Sequence, residues 1–242
     1  LNQYGGAERV LKSLCELFPD APIFTLFHNA SLIKEFPLRP IISSPLQRMP
    51  GIQRHHRLFP LLMPYAIERL DLSGYALIIS DSESFGKGIL RPPDAIHISY
   101  CHTPARFLWD GSQIYLEKSP FPRVIKALVP FGLTYLRQWD YEASKRVDHF
   151  FANSRFVAKR IKKYYKREAK IIYPPVAIRE FQGKPQAPRS YYLLLMRLVP
   201  YKRPEIVIEA CNFLGLPLLV VGDGPLLPLL KKKAGPHIMF HP

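Results

Sequence analysis

Tyr191-Tyr192-Leu193-Leu194-Leu195-Met196-Arg197-Leu198-Val199-Pro200-Tyr201-Lys202-Arg203-Pro204-Glu205 is an apolar run of strand length that stops at an arginine, turns at a proline and presents a lysine just before a helical pattern begins. Strand, tight loop and helix in that order predict a βα unit, with Arg197 and Lys202 at the strand's carboxyl end, aimed at an anion such as phosphate. Downstream the pattern repeats as a helix over 204–213, a strand over 216–221, the turn Gly222-Asp223-Gly224-Pro225 and a helix to residue 234. Upstream, strand-like segments recur at 23–27, 40–43, 76–80, 96–101, 149–152 and 170–173, with helical patterns between several of them. Alternation of this kind predicts an α/β fold built on a doubly wound parallel sheet. The polar, Gly- and Pro-containing stretch 177–190 then reads as the junction of two domains, placed here at 1–183 and 184–242.

The 242 residues suffice for two modest domains, and 48% apolar against 22% charged residues is a folded composition. A formal net charge of +15 points to an anionic partner, whether nucleic acid, membrane surface or phosphorylated substrate. Cys15, Cys101 and Cys211 are odd in number and lack metal-ligand spacing, so they read as free thiols of a reducing, cytoplasmic compartment. No signal peptide or apolar run of membrane-spanning length is present in the sequence. The chain opens at Leu1 and stops after the strand-like 238–240, and we read it as a fragment cut at both ends.

Gly5-Gly6 precede apolar positions 7, 10, 11, 14, 17 and 18, a helical spacing that puts the glycines at a helix N-terminus. Free N–H groups there serve either an anion or nothing more than a tight turn. Residues 46–70 interleave Arg48, Arg54 and Arg57 with bulky apolar side chains, as does a segment lying on an anionic membrane or an ordinary loop with snorkelling arginines. His102, fixed by Thr103-Pro104, follows the strand 96–101, where α/β folds keep their chemistry. The aromatic-rich 124–147 reads as a core helix. Helix 155–165 is expected to be capped by Asn153 or Ser154 and to bury Phe156, Val157, Ile161 and Tyr164 beneath a solvated basic face.

Several chemistries are set aside. Leu227 occupies the place of the third glycine of a dinucleotide fingerprint, and no Walker-type loop exists. The nearest approach to an Asp-x-Asp metal pair is Asp81-Ser82-Glu83, and with no His/Cys cluster we expect no metal site. What remains, in order, is Gly5-Gly6-Ala7-Glu8-Arg9, His102-Thr103-Pro104, Asn153-Ser154, Tyr173-Pro174-Pro175-Val176, Arg197 to Lys202 and Gly222-Asp223-Gly224-Pro225. This ordered set resembles the family-four retaining glycosyltransferases of the two-domain GT-B fold.

The resemblance implies two Rossmann-like domains, the first lacking its first strand and the second truncated. It implies a hexose, mannose-like among others, moved without metal or cofactor from a nucleotide sugar to a cell-surface polysaccharide or lipid-linked oligosaccharide. Gly5 and Gly6 would meet the donor's diphosphate through backbone N–H groups, Arg197 and Lys202 would neutralise it as it leaves, His102 would contact the sugar, and Gly222 would border the donor. An anionic membrane surface is a candidate partner, at the inner face of the membrane, and nucleic acid is not expected. The family's Glu-x7-Glu carboxylates are expected beyond Pro242. Glu8 and Glu16 share that spacing but stand on the first helix, so the chain alone is expected to be inactive. The rival reading is a basic nucleic-acid-binding α/β module without catalysis.

Overall fold

The computed structural model describes residues 1, 4–37, 39–113, 122–178 and 190–241. Contacts divide the chain into two compact units, Leu1–Ala177 and Ile178–Pro242. The boundary expected between residues 183 and 184 lies outside the described residues.

In the first unit β1 (Ile23–Thr25) pairs in parallel with β2 (Ile41–Ser43). A second, four-stranded parallel sheet runs β3 (Leu77–Ser82), β4 (Ile96–Cys101), β5 (His149–Ala152) and β6 (Ala169–Ile171), in that order. Its helices are α1 (Gly6–Leu17), α2 (Ile52–His55), α3 (Met63–Glu68), α4 (Arg123–Lys145) and α5 (Arg155–Tyr165). The α/β class with parallel pairing is as the sequence predicts. A cavity of about 390 Å³ lies between α1, β1 and β3, lined by Leu11 and Leu14, Ile23 and Phe24, and Ile78 and Ile79. At its rim the Leu1 amine donates to the Phe27 carbonyl (2.9 Å) and the Asn29 N–H to the Leu1 carbonyl (2.8 Å), the bond pair of a parallel bridge opposite His28.

Helix α5 shows how the sheet is covered. Ser154 Oγ accepts the Val157 N–H at 3.2 Å and starts the helix. Val157, Ile161 and Tyr165 then pack on Cys101, Phe150 and Ala152. Two expectations for this helix fail. Phe156 is exposed and Tyr165 takes the buried place, while Tyr164 is half-buried against Trp109, their rings stacked at 4.9 Å. Arg160 is buried instead of solvated, because a loop folds over it. Helix α4 likewise buries only part of its apolar surface: Leu133 and Leu136 pack on Ala105 and Leu108, but Leu128, Phe131 and Tyr135 face solvent.

A charged pair crosses this interior. Lys87 and Asp140 are both buried and bonded, with Trp109 Nε1 donating to the second Asp140 oxygen at 2.8 Å and Lys87 Nζ donating to the Ser84 carbonyl at 2.8 Å. Such a pair resists loss of one partner, which strands a buried charge.

The second unit has the parallel order β7 (Tyr192–Leu195), β8 (Leu218–Val221), β9 (Ile238–His241), with α6 (Pro204–Leu214) and α7 (Leu227–Lys233). Gly215, at φ 64°, ends α6 in the left-handed region that glycine enters without strain. Leu194, Leu198, Ile208, Leu218, Val220 and Leu230 form one core.

His97, on β4, is buried with Nε2 2.9 Å from Ser80 Oγ, and burial pushes its pKa down to about 4 from 6.5. The unfolded chain therefore binds a proton between those values that the folded chain refuses, so stability should fall on acidification through that window, by about 3 kcal/mol at most. Denaturant titrations at pH 7 and pH 4.5 should show a smaller loss for His97→Gln; an equal loss would remove His97 as the cause.

Candidate functional site

The carboxyl ends of the strands gather the polar side chains of the first unit. β3 and β4 pair from Leu77↔Ile96 to Ser82↔Cys101, and the ladder continues as the His102 N–H donates to the Ser82 carbonyl at 3.2 Å. This register brings together two residues 21 apart: His102 Nε2 lies 2.6 Å from Asp81 Oδ1. Asn153 Nδ2 donates to the His102 carbonyl at 3.1 Å, tying the end of β5 to the same loop. Nδ1 is the ring nitrogen that Asp81 does not engage. Burial alone would lower the imidazole pKa, but the bond and charge of Asp81, with Glu83 and Glu8 beyond, hold it above its ordinary value. Burial raises the Asp81 carboxyl, partly offset by His102. The bond favours the charged form of each partner, and both side chains are largely withdrawn from water.

The loop after His102 is clamped from α5. Arg160 Nε donates to Thr103 Oγ1 (3.0 Å), Nη2 donates to the Pro104 carbonyl (3.1 Å) and to Asp110 Oδ1 (3.2 Å), and Nη1 donates to Asp110 Oδ2. A planar fork suits this many acceptors better than a lysine does. Sequence reasoning misses Asp81 as a partner of histidine, since Asp81-Ser82-Glu83 reads only as the nearest approach to a metal pair. It also misses Arg160, whose helical position resembles its solvated neighbours.

Gly5 and Gly6 do stand at the N-terminus of α1. The Gly5 N–H is already occupied, donating to Glu8 Oε2 at 2.9 Å. Among the described residues nothing lies within 4 Å of where a Gly6 Cβ would project, so packing against them does not demand glycine there. Glu8 is near enough for its charge to act on both Asp81 and His102. Gly6, Glu8, Asp81 and His102 thus belong to one region.

In the second unit Arg197 and Lys202 are exposed on the loop that leaves β7. Leu198, fully buried between them, plugs the loop into the core. Its N–H donates to the Asp223 carbonyl (2.9 Å) and its carbonyl accepts the Leu226 N–H (3.1 Å). The two loops therefore pass backbone to backbone, and this crossing explains the glycines. Gly222 has φ 143° and a Cβ there would fall 2.0 Å from the Met196 carbonyl oxygen; Gly224, at φ 154°, would meet the Leu198 oxygen at 2.4 Å. Gly222 is required by this close approach whether or not a donor borders it. Among the described residues no group of three or more His, Cys, Asp or Glu side chains is placed to hold a metal.

Two outcomes test this geometry. In Asp81→Asn the buried imidazole loses its carboxylate, so the His102 pKa read from NMR ring shifts should drop; an unchanged value would break the coupling. With the folded pKa above 6.5, the stabilisation from His102 is complete below that pH and is lost as pH rises through the folded value. Gly222→Ala should weaken the second unit by about 1–3 kcal/mol, seen as faster hydrogen exchange in β7 and β8 with the first unit unaffected.

Comparison with known proteins bears on residues 4–180, which match the model of Glycosyltransferase Family 4. No curated protein matches the chain significantly. The match covers more than half of the chain, from the glycine turn through His102 and Asn153, so this protein belongs to glycosyltransferase family 4.

Proposed function

We propose that the protein is a retaining, metal-independent hexosyltransferase that uses a nucleotide sugar to extend a cell-surface polysaccharide or lipid-linked oligosaccharide. The observation that carries this reading is the loop after β7. Arg197 and Lys202 flank Leu198, whose burial and two backbone bonds fix the loop before any ligand arrives. Helix α6 begins directly after them, so its positive end adds to theirs.

A nucleoside diphosphate gains negative charge as the glycosidic bond to it breaks. Fixed cations therefore stabilise the transition state more than the ground state, which is what raises turnover. Arginine supplies a planar bidentate contact and lysine a point charge, and together they take the part a divalent metal plays elsewhere. In the first unit, Gly6 offers its backbone N–H at the start of α1 and His102, oriented by Asp81, offers Nδ1 to a sugar hydroxyl. The reduced thiols Cys15, Cys101 and Cys211 fit a cytoplasmic enzyme working at the inner face of the membrane.

The test is transfer by the full-length protein from a panel of nucleotide sugars, with chelator present throughout. Arg197→Ala should lower kcat by about 10²–10³-fold, chelator should leave the rate unchanged, and the product anomer should match the donor's. Near-parental turnover in Arg197→Ala would remove the leaving-group role.

A further inference from the structure

We infer that the first unit docks on an anionic lipid bilayer through an apolar stripe of α4 joined to the helical turns that include Leu58, Leu61, Leu62 and Tyr65. Leu128, Phe131 and Tyr135 recur at helical spacing on one face of α4 and are 64%, 75% and 53% exposed. The buried positions Leu133 and Leu136 lie on a different face of the same helix, so this stripe is surplus to the core. Leu61 and Tyr65, 51% and 60% exposed, stand beside it with Leu58 and Leu62. The two groups are continuous, because a Cβ on Gly132 would lie 3.4 Å from Leu61 Cδ2. Gly132 falls by helical rotation between the buried and exposed faces of α4.

What names the occupant is charge. Exposed Arg54 and Arg57 precede Leu58 by four residues and one, and exposed Arg69 lies over the Tyr65 ring at 5.3 Å while donating to its hydroxyl at 3.0 Å. From 36 to 69 and from 122 to 139, the two segments that meet here, the sequence has one carboxylate, Glu68, and it accepts from Arg146 and Trp139. Large apolar side chains projecting from helix surfaces, with cations in excess of carboxylates along the two segments, are the make-up of an element that lies in a lipid interface. They are exposed, so a fluid surface accommodates them without a shaped counterpart. Among the described residues no helix is long and apolar enough to cross a membrane. The inference gives a place to the lipid-linked acceptor proposed above and rests on that reading only for its purpose, since docking needs no donor and is measured without transfer.

Co-sedimentation with vesicles of phosphatidylcholine, with and without phosphatidylglycerol, tests it. The full-length protein should pellet with the anionic vesicles, and less so as salt rises. Leu128→Ser with Phe131→Ser, both at exposed sites, should weaken binding about tenfold or more. Arg54→Gln with Arg57→Gln should weaken it about 10- to 30-fold. Circular dichroism should show all variants folded. Failure to bind anionic vesicles, or binding indifferent to Phe131 and Leu128, would overturn the inference. So would a concentration-dependent dimer dispersed by the same serine substitutions, which would assign the stripe to a second copy of the chain. Loss of transfer with docking intact would count against the transferase reading alone.

Discussion

The parallel register of β3 on β4 is the constraint on which the first unit's chemistry depends. In a parallel pair every residue has one fixed neighbour, and here the ladder running from Leu77↔Ile96 to Ser82↔Cys101 ends with Asp81 and His102 at bonding distance. A slip by one residue would turn one of the two to the other face of the sheet. The same ladder buries His97 against Ser80 on the opposite face of the sheet, so a single register decides the surroundings of both histidines. Environment separates the two: burial against a neutral serine hydroxyl pushes His97 down, and a carboxylate bonded to His102 outweighs burial.

Around that sheet, side chains of the basic surplus are drawn into fixed structural tasks. Lys87 answers Asp140 in the core, and Arg160 gathers Thr103, Pro104 and Asp110 into one clamp. Each arrangement is costly to break because its charge would be left buried without a partner. Their common effect is to stiffen the loops that carry His102 and Trp109. Rigid loops at strand ends are what a transferase needs to hold donor and acceptor groups in place.

The second unit uses a different device for the same end. Two loops leave adjacent strands so close together that no Cβ fits at Gly222 or Gly224, and Leu198 locks the crossing to the core. Arg197 and Lys202 ride on this crossing. Glycine here is a packing requirement first, and any ligand contact is additional to it.

Much was determined by the sequence alone. Hydrophobic periodicity located β4, β5 and α5 to the residue and placed Arg197 and Lys202 after a strand, because local patterns of period two and 3.6 need no partner to be read. The ordered motifs over 4–180 were likewise legible, and they carried the family. Other assignments required the third dimension. Asp81 gains its meaning only from a strand 21 residues away, and Arg160 differs from its exposed neighbours only because a loop closes over it. The aromatic run of α4 carries helical spacing throughout, yet only its packing against Ala105 and Leu108 decides that Leu133 is core and Phe131 is surface. A helix announces which residues share a face; the tertiary structure alone decides which of those faces meets the sheet.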